Sequence, residues 1–135
     1  MKNQALFSII NSTYLLAGKT QNYHWNVSGE AFYQLHKLFE EQCNDLIGSI
    51  DALAEQIVME GEKVPPFLGE NNIVTKPQTT FTAKEMVKDI LEGNKAILNL
   101  ITQQNFSQNP VVEALLQDRI LAHKKAIWFL TAILS

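Results

Sequence analysis

Apolar side chains recur every three or four residues in four separate stretches of the chain, the spacing that gathers them on one face of a helix. In the first stretch, about Asn3 to Asn26, Leu6, Ile10, Ala17 and His24 fall near one stripe, and Val27-Ser28-Gly29 then supplies a turn short enough to join antiparallel neighbours. The second, about Ala31 to Glu60, places Phe32, Leu35, Phe39, Leu46, Ile50, Leu53 and Ile57 on one face, its expected core. Thr82-Ala83-Lys84-Glu85 has the form of a capping box, opening a third helix with Met86, Ile90, Ile97 and Ile101 as the apolar face. Asn109-Pro110 opens a fourth, with proline at its first position, and Leu116, Ile120, Ile127, Leu130 and Leu134 carry the stripe. No strand-like alternation and no internal repeat competes.

The polar intervals decide the topology. Between Gly61 and Thr80 the chain carries three of its four prolines, two glycines and the polar run Gly69-Glu70-Asn71-Asn72, so it reads as a connection. Short joins pair the first helix with the second and the third with the fourth. About twenty residues between the second and third are ample to run back along a bundle. The expectation is an all-α fold, a ferritin-like four-helix bundle with one long crossover, forming a single domain over residues 1–135.

Composition narrows the function classes. At 135 residues the chain suits one domain that buries about two-thirds of its unfolded surface. With 46% hydrophobic and 19% charged residues it is too apolar for disorder, and no stretch reaches the roughly 20 apolar residues of a membrane span. A net charge of -3 disfavours a surface built to neutralise phosphates. One cysteine, Cys43, excludes an intrachain disulfide and Cys-based zinc folds, which fits a reducing compartment. Lys2 followed by Ala5 to Gly18 superficially resembles a secretory signal, but Asn11, Ser12, Thr13 and Tyr14 interrupt the apolar run. A cytoplasmic protein is expected. Before Glu30 the only charges are Lys2 and Lys19, so more of the first helix should be covered than one bundle can cover, implying neighbouring subunits.

Candidate chemistry lies on the second helix. No Glu-x-x-His pair is present, because Gln21, Tyr33 and Ile120 stand three residues before His24, His36 and His123. Instead His36 and Glu40 form one i, i+4 pair and Asp51 and Glu55 another, each able to chelate a metal and both turned away from the Phe39, Leu46, Ile50 stripe. Fifteen residues apart, about 22 Å along a helix, they cannot hold one ion within one chain. Two copies of the helix crossing antiparallel about a two-fold axis between Asp45 and Leu46 bring each pair onto the other, with Cys43, Asn44, Ile47 and Gly48 lining the contact. His24 and His36 lie six residues either side of Glu30, so the hairpin sets them opposite one another. The set of His24, His36 and Glu40 with Asp51 and Glu55 of a second copy suits iron or manganese better than a soft-ligand metal. On spacing alone, a core histidine and a solvated acidic face account for the same residues. His123, on the last apolar stripe, reads as a core or interface histidine.

The run Asn22-Tyr23-His24-Trp25-Asn26-Val27-Ser28-Gly29 resembles the Dps family of mini-ferritins, the DNA-protection-during-starvation proteins. Phe32, Leu35-His36, Phe39-Glu40, Ile50-Asp51 and Ala54-Glu55 continue the signature in order, and His123, Lys124 and Trp128 are similar to the family's last helix. The resemblance implies a bundle with a short extra helix in the crossover and a dodecameric hollow shell with iron-oxidising sites at two-fold interfaces. By that resemblance His24, Asp51 and Glu55 would hold the first iron, Glu55 would bridge to a second position supported by His36 and Glu40, and Trp25 would sit beside them. It implies a ferroxidase that uses hydrogen peroxide, stores iron as a ferric mineral and so prevents Fenton chemistry. The alternative is a shell-forming binding or structural protein with little turnover. Glu40 replaces the more usual aspartate, one methylene longer. With Lys2 the only basic residue ahead of the first helix and Ile133-Leu134-Ser135 at the other end, direct DNA binding is not expected. The family's acidic pore corresponds to Asn109-Pro110-Val111-Val112-Glu113, with Asp118 further on, a weaker negative field.

Overall fold

The structure, a computed structural model, describes residues 3–66 and 73–135. Four helices follow in order: α1 (Gln4–Asn26), α2 (Phe32–Met59), α3 (Ala83–Thr102) and α4 (Pro110–Leu134). Each begins or ends where local chemistry dictates. Thr82 and Glu85 form the reciprocal capping box that starts α3, and the Asn109 side chain accepts from the Val112 N–H ahead of Pro110 at the first turn of α4. At the end of α2, Gly61 adopts φ +91°, and the Glu62 and Gly61 N–H groups bond back to the Ile57 and Val58 carbonyls. That closure needs a left-handed residue, which glycine supplies without steric cost. Gly29, at φ +102°, makes the α1–α2 turn for the same reason.

The crossover runs back along α1. At its start Glu62 accepts from the Asn3 side chain; further on the Ile73 N–H donates to Ser12 Oγ, Thr75 meets Lys19, and the Gln78 N–H donates to the Tyr23 hydroxyl. The partners on α1 advance with the crossover, so α3 starts at the His24 end of the bundle. No helix occurs among the described crossover residues, and the polar run 69–72 with the rest of residues 67–72, where a short extra helix would fall, lies outside the described residues.

The core is formed by the predicted faces. Leu35, Phe39, Leu46, Ile50, Leu53 and Ile57 of α2 pack with Met86, Ile90, Ile97 and Ile101 of α3, Leu116 and Leu130 of α4, and Leu6, Ile10 and Ala17 of α1. Burying each such aliphatic or aromatic side chain contributes about 1.5–3 kcal/mol. Phe32 departs from the expectation: it is exposed, because it lies in the first turn of α2, at the hairpin end of the bundle, where its ring stacks on His36 instead.

Lys19 carries its charge inside the bundle. It is buried, its ammonium 3.0 Å from both Asp89 carboxylate oxygens and 2.7 Å from Thr75 Oγ1. Tyr23 donates to the same carboxylate at 2.5 Å, and burial together with Asp89 pushes its phenol upward. Much of the sparsely charged α1 is therefore covered by the chain's own crossover and α3. Low charge on this helix is weaker testimony for neighbouring subunits than the sequence suggested.

Candidate metal centre

His24 sits in the last turn of α1 and His36 in the first turns of α2, and the intervening turn folds them face to face. Their rings stack with centroids 3.9 Å apart and planes 13° from parallel. The contact is reciprocal: His24 Nδ1 lies 2.7 Å from the His36 carbonyl oxygen, and His36 Nδ1 lies 2.8 Å from the His24 carbonyl oxygen. A carbonyl only accepts, so both Nδ1 atoms carry a proton, and in the neutral ring Nε2 is the nitrogen left to ligate. The His24 carbonyl is one of those that the end of α1 leaves without a partner along the helix, so His36 closes the helix end while being oriented by it. Phe32, one turn earlier, stacks on the other side of His36 with centroids 5.0 Å apart.

Glu40 follows His36 by one turn and completes a cluster in which one ligand atom from each of His24, His36 and Glu40 lies within 4.8 Å of the others. Both histidines are half-buried and the carboxylate is exposed. Two neutral imidazole nitrogens with one carboxylate form a mixed nitrogen and oxygen set that suits a divalent first-row metal with open positions. The donors therefore fit iron. Backbone partners on the far nitrogen hold ring orientation and ligand basicity, the role outer partners have in metal sites.

Asp51 and Glu55 stand apart. Both are exposed on α2, about 22 Å along the helix from His36 and Glu40. Among the described residues no third histidine, cysteine or carboxylate joins them in a cluster. Asn44, Ile47 and Gly48 line the same exposed strip of α2 between the two pairs. Cys43 does not share that strip: it is buried, its thiol donates to the Ala17 carbonyl at 3.4 Å, and burial pushes its pKa up. Trp25 is exposed beside His24. His123 is a core residue, its Nδ1 bonded to Asn94 Oδ1 at 2.9 Å, and burial together with Arg119 pushes its pKa down to about 3.

The reciprocal histidine bonds were not read from the sequence, because they depend on the turn geometry. The Phe32 stack was accessible, since Phe32 and His36 are an i, i+4 pair.

The ferritin-like domain family matches residues 3–135. A DNA protection during starvation protein of Helicobacter pylori is 30% identical over 125 residues, covering 87% of each chain. The chain belongs to the Dps family of ferritin-like proteins. Dps from Thermosynechococcus elongatus superposes with a TM-score of 0.87 over 99% of this chain and 92% of that one, at 24% identity. The Dps protein of Vibrio cholerae O1, described as a member of a broad superfamily of ferritin-like diiron-carboxylate proteins, superposes with a TM-score of 0.76 at 25% identity, over 97% of this chain and 87% of that one. Within the Dps family, then, this chain presents His24, His36 and Glu40 as one prearranged group and holds Asp51 and Glu55 apart. No helix among the described residues is long and apolar enough to cross a membrane.

Proposed function

We propose that the protein is an iron-oxidising and iron-storing mini-ferritin whose sites are completed between two copies of the chain. The observation that carries this reading is a split: His36 and Glu40 of α2 converge with His24 of α1 to within 4.8 Å, while Asp51 and Glu55 remain exposed and unclustered further along α2 among the described residues. An antiparallel crossing of two α2 helices over the Asn44, Ile47 and Gly48 strip delivers Asp51 and Glu55 of one copy to the histidines of the other. The exposed Ile47, Val58, Met59, Leu121 and Trp128 supply apolar surface that an assembly would cover.

Fe(II) is the substrate. His24 with the second copy's two carboxylates binds one ion, His36 and Glu40 support the other, and the anionic oxygens favour the ferric product. The pair of Fe(II) ions gives up one electron each. Together with two protons these reduce hydrogen peroxide to two waters, so no hydroxyl radical is released. A dodecameric, cytoplasmic shell storing the ferric product, with no direct hold on DNA, completes the proposal.

Complementation tests the shared site. His24→Ala and Asp51→Ala each slow peroxide-dependent Fe(II) oxidation strongly, with helical content retained. Dissociating and reassembling the two variants together restores part of the activity, because in a mixed dimer one site carries both changes and the other carries neither. Mixed assemblies that recover no activity overturn the shared site. Wild-type protein that assembles but does not oxidise Fe(II) overturns the ferroxidase and leaves a structural shell.

A further inference from the structure

Phe32 is a large aromatic residue that core packing does not account for. It is 41% exposed, and it belongs neither to the buried cluster nor to the partly buried side chains packed against that cluster. Its ring lies instead against the imidazole of His36, with centroids 5.0 Å apart and planes 24° from parallel. The helix prepares this contact. Phe32 precedes His36 by four residues on α2, and helical side chains lean toward the N-terminus, so the imidazole comes down over the ring one turn before it. The His24 ring stacks on the same imidazole at 3.9 Å, and two rings cannot share one face, so Phe32 takes the other. His36 is thus held by a ring on each face and, at Nδ1, by the His24 carbonyl 2.8 Å away.

We infer that Phe32 is a positioning residue for the metal centre: it clamps the His36 imidazole against His24, so that Nε2 meets an incoming divalent cation in one orientation. A ligand that must give up side-chain freedom when metal arrives binds that metal more weakly than one already held in place. The Nδ1 hydrogen bond fixes the tautomer of the ring, but one hydrogen bond is a hinge about which the ring plane can swing. A ring on each face blocks the swing. This also gives a reason for an aromatic side chain at an exposed position in the first turn of α2, where it contributes little to the core. The inference rests on the proposed function in taking Fe(II) as the natural ion, whereas the clamp itself acts on any divalent metal that imidazole nitrogen binds.

Calorimetric titration of the assembled protein with Co(II) tests it, because this divalent probe binds imidazole and carboxylate without being turned over. Phe32→Ala is expected to weaken Co(II) binding by roughly tenfold, the scale of losing an outer partner of a metal ligand. Helical content is retained, since Phe32 lies outside the core. Phe32→Tyr keeps the ring and binds as the wild type does, whereas Phe32→Leu keeps apolar bulk without a flat face and stays weakened. Added to His36→Ala, Phe32→Ala costs nothing further, because the clamp acts only through His36. Co(II) binding as tight in Phe32→Ala or Phe32→Leu as in the wild type overturns the inference. So does an undiminished effect of Phe32→Ala in the His36→Ala background, which a general loss of packing or assembly would produce. A metal-free crystal structure of Phe32→Ala with His36 in a single, unchanged orientation overturns the clamp and leaves the metal centre standing. Wild-type protein that takes up no Co(II) overturns the metal centre itself, and the inference with it.

Discussion

The two ends of α2 carry pairs at the same four-residue spacing and meet different surroundings. At the N-terminal end, His36 and Glu40 face His24, delivered by the α1–α2 turn, and backbone carbonyls fix the tautomers of both rings. Toward the other end, Asp51 and Glu55 project from an equally regular helix and no cluster forms around them among the described residues. The helix supplies paired side chains by its period, which is local, whereas a cluster needs a second element at the right height. One end finds that element in its own chain. The other has only the exposed strip of Asn44, Ile47 and Gly48 leading to it.

The strongest way to break the comparison is to keep both ends intact and prevent their meeting. A β-carbon on Gly48 would touch nothing within 4 Å, so the chain itself has room for a side chain there. Gly48→Arg should leave the helical content near wild type, apart from a helix-propensity gain, and disrupt the pairing of α2 helices. Peroxide-dependent Fe(II) oxidation should fall by roughly 100-fold, the loss of several ligands at once. Size-exclusion chromatography alongside stopped-flow oxidation checks this. A variant that oxidises at the wild-type rate would place the two pairs in separate sites.

A second test loosens only the histidine end. Lys19 and Tyr23 hold the last turns of α1 to Asp89 just before His24. Lys19→Met leaves the mostly buried Asp89 carboxylate without its cation and should destabilise the chain by about 3 kcal/mol. Denaturant unfolding measures the loss. Fe(II) oxidation at a temperature where the variant is folded should show weakened binding of the ion proposed to lie between His24 and the second copy's carboxylates.

The smallest effect contrasts the site histidines with the core one. His123 is held neutral in the fold, its pKa lowered to about 3 by burial and by Arg119. The unfolded chain takes up its proton near pH 6.5, so this residue's contribution is full above that pH and is lost as pH falls from about 6.5 toward 3. Between pH 7.5 and 5 the loss amounts to about 2 kcal/mol. His123→Leu should flatten that part of the stability profile, followed by urea unfolding at the two pH values. An unchanged slope would put the proton uptake on other groups.

Helix number, boundaries and caps were legible because their causes are local. Thr82 and Glu85, Asn109 and Pro110, and the apolar stripes act within a turn or two of where they stand. The pairing of His24 with His36 was also within reach, since a short antiparallel turn leaves few registers. Phe32 was misread as core for a local reason too: its position on the stripe is right, but the bundle ends beside it. The burial of Lys19 has a distant cause, because its partner Asp89 stands 70 residues away.

What the sequence by itself determined, then, is a set of four amphipathic helices, their order around one long crossover, and two four-residue pairs, His36 with Glu40 and Asp51 with Glu55, along the second. These follow from helical period, capping chemistry and loop length, all short-range properties of the chain. Only the tertiary structure decided that the two histidines fix each other's tautomers through backbone carbonyls, that Cys43 turns inward to Ala17, and that Arg119 is buried against Asp45. Those arrangements arise where separate helices pack together, and the period of a single helix holds no information about the side chains it will meet.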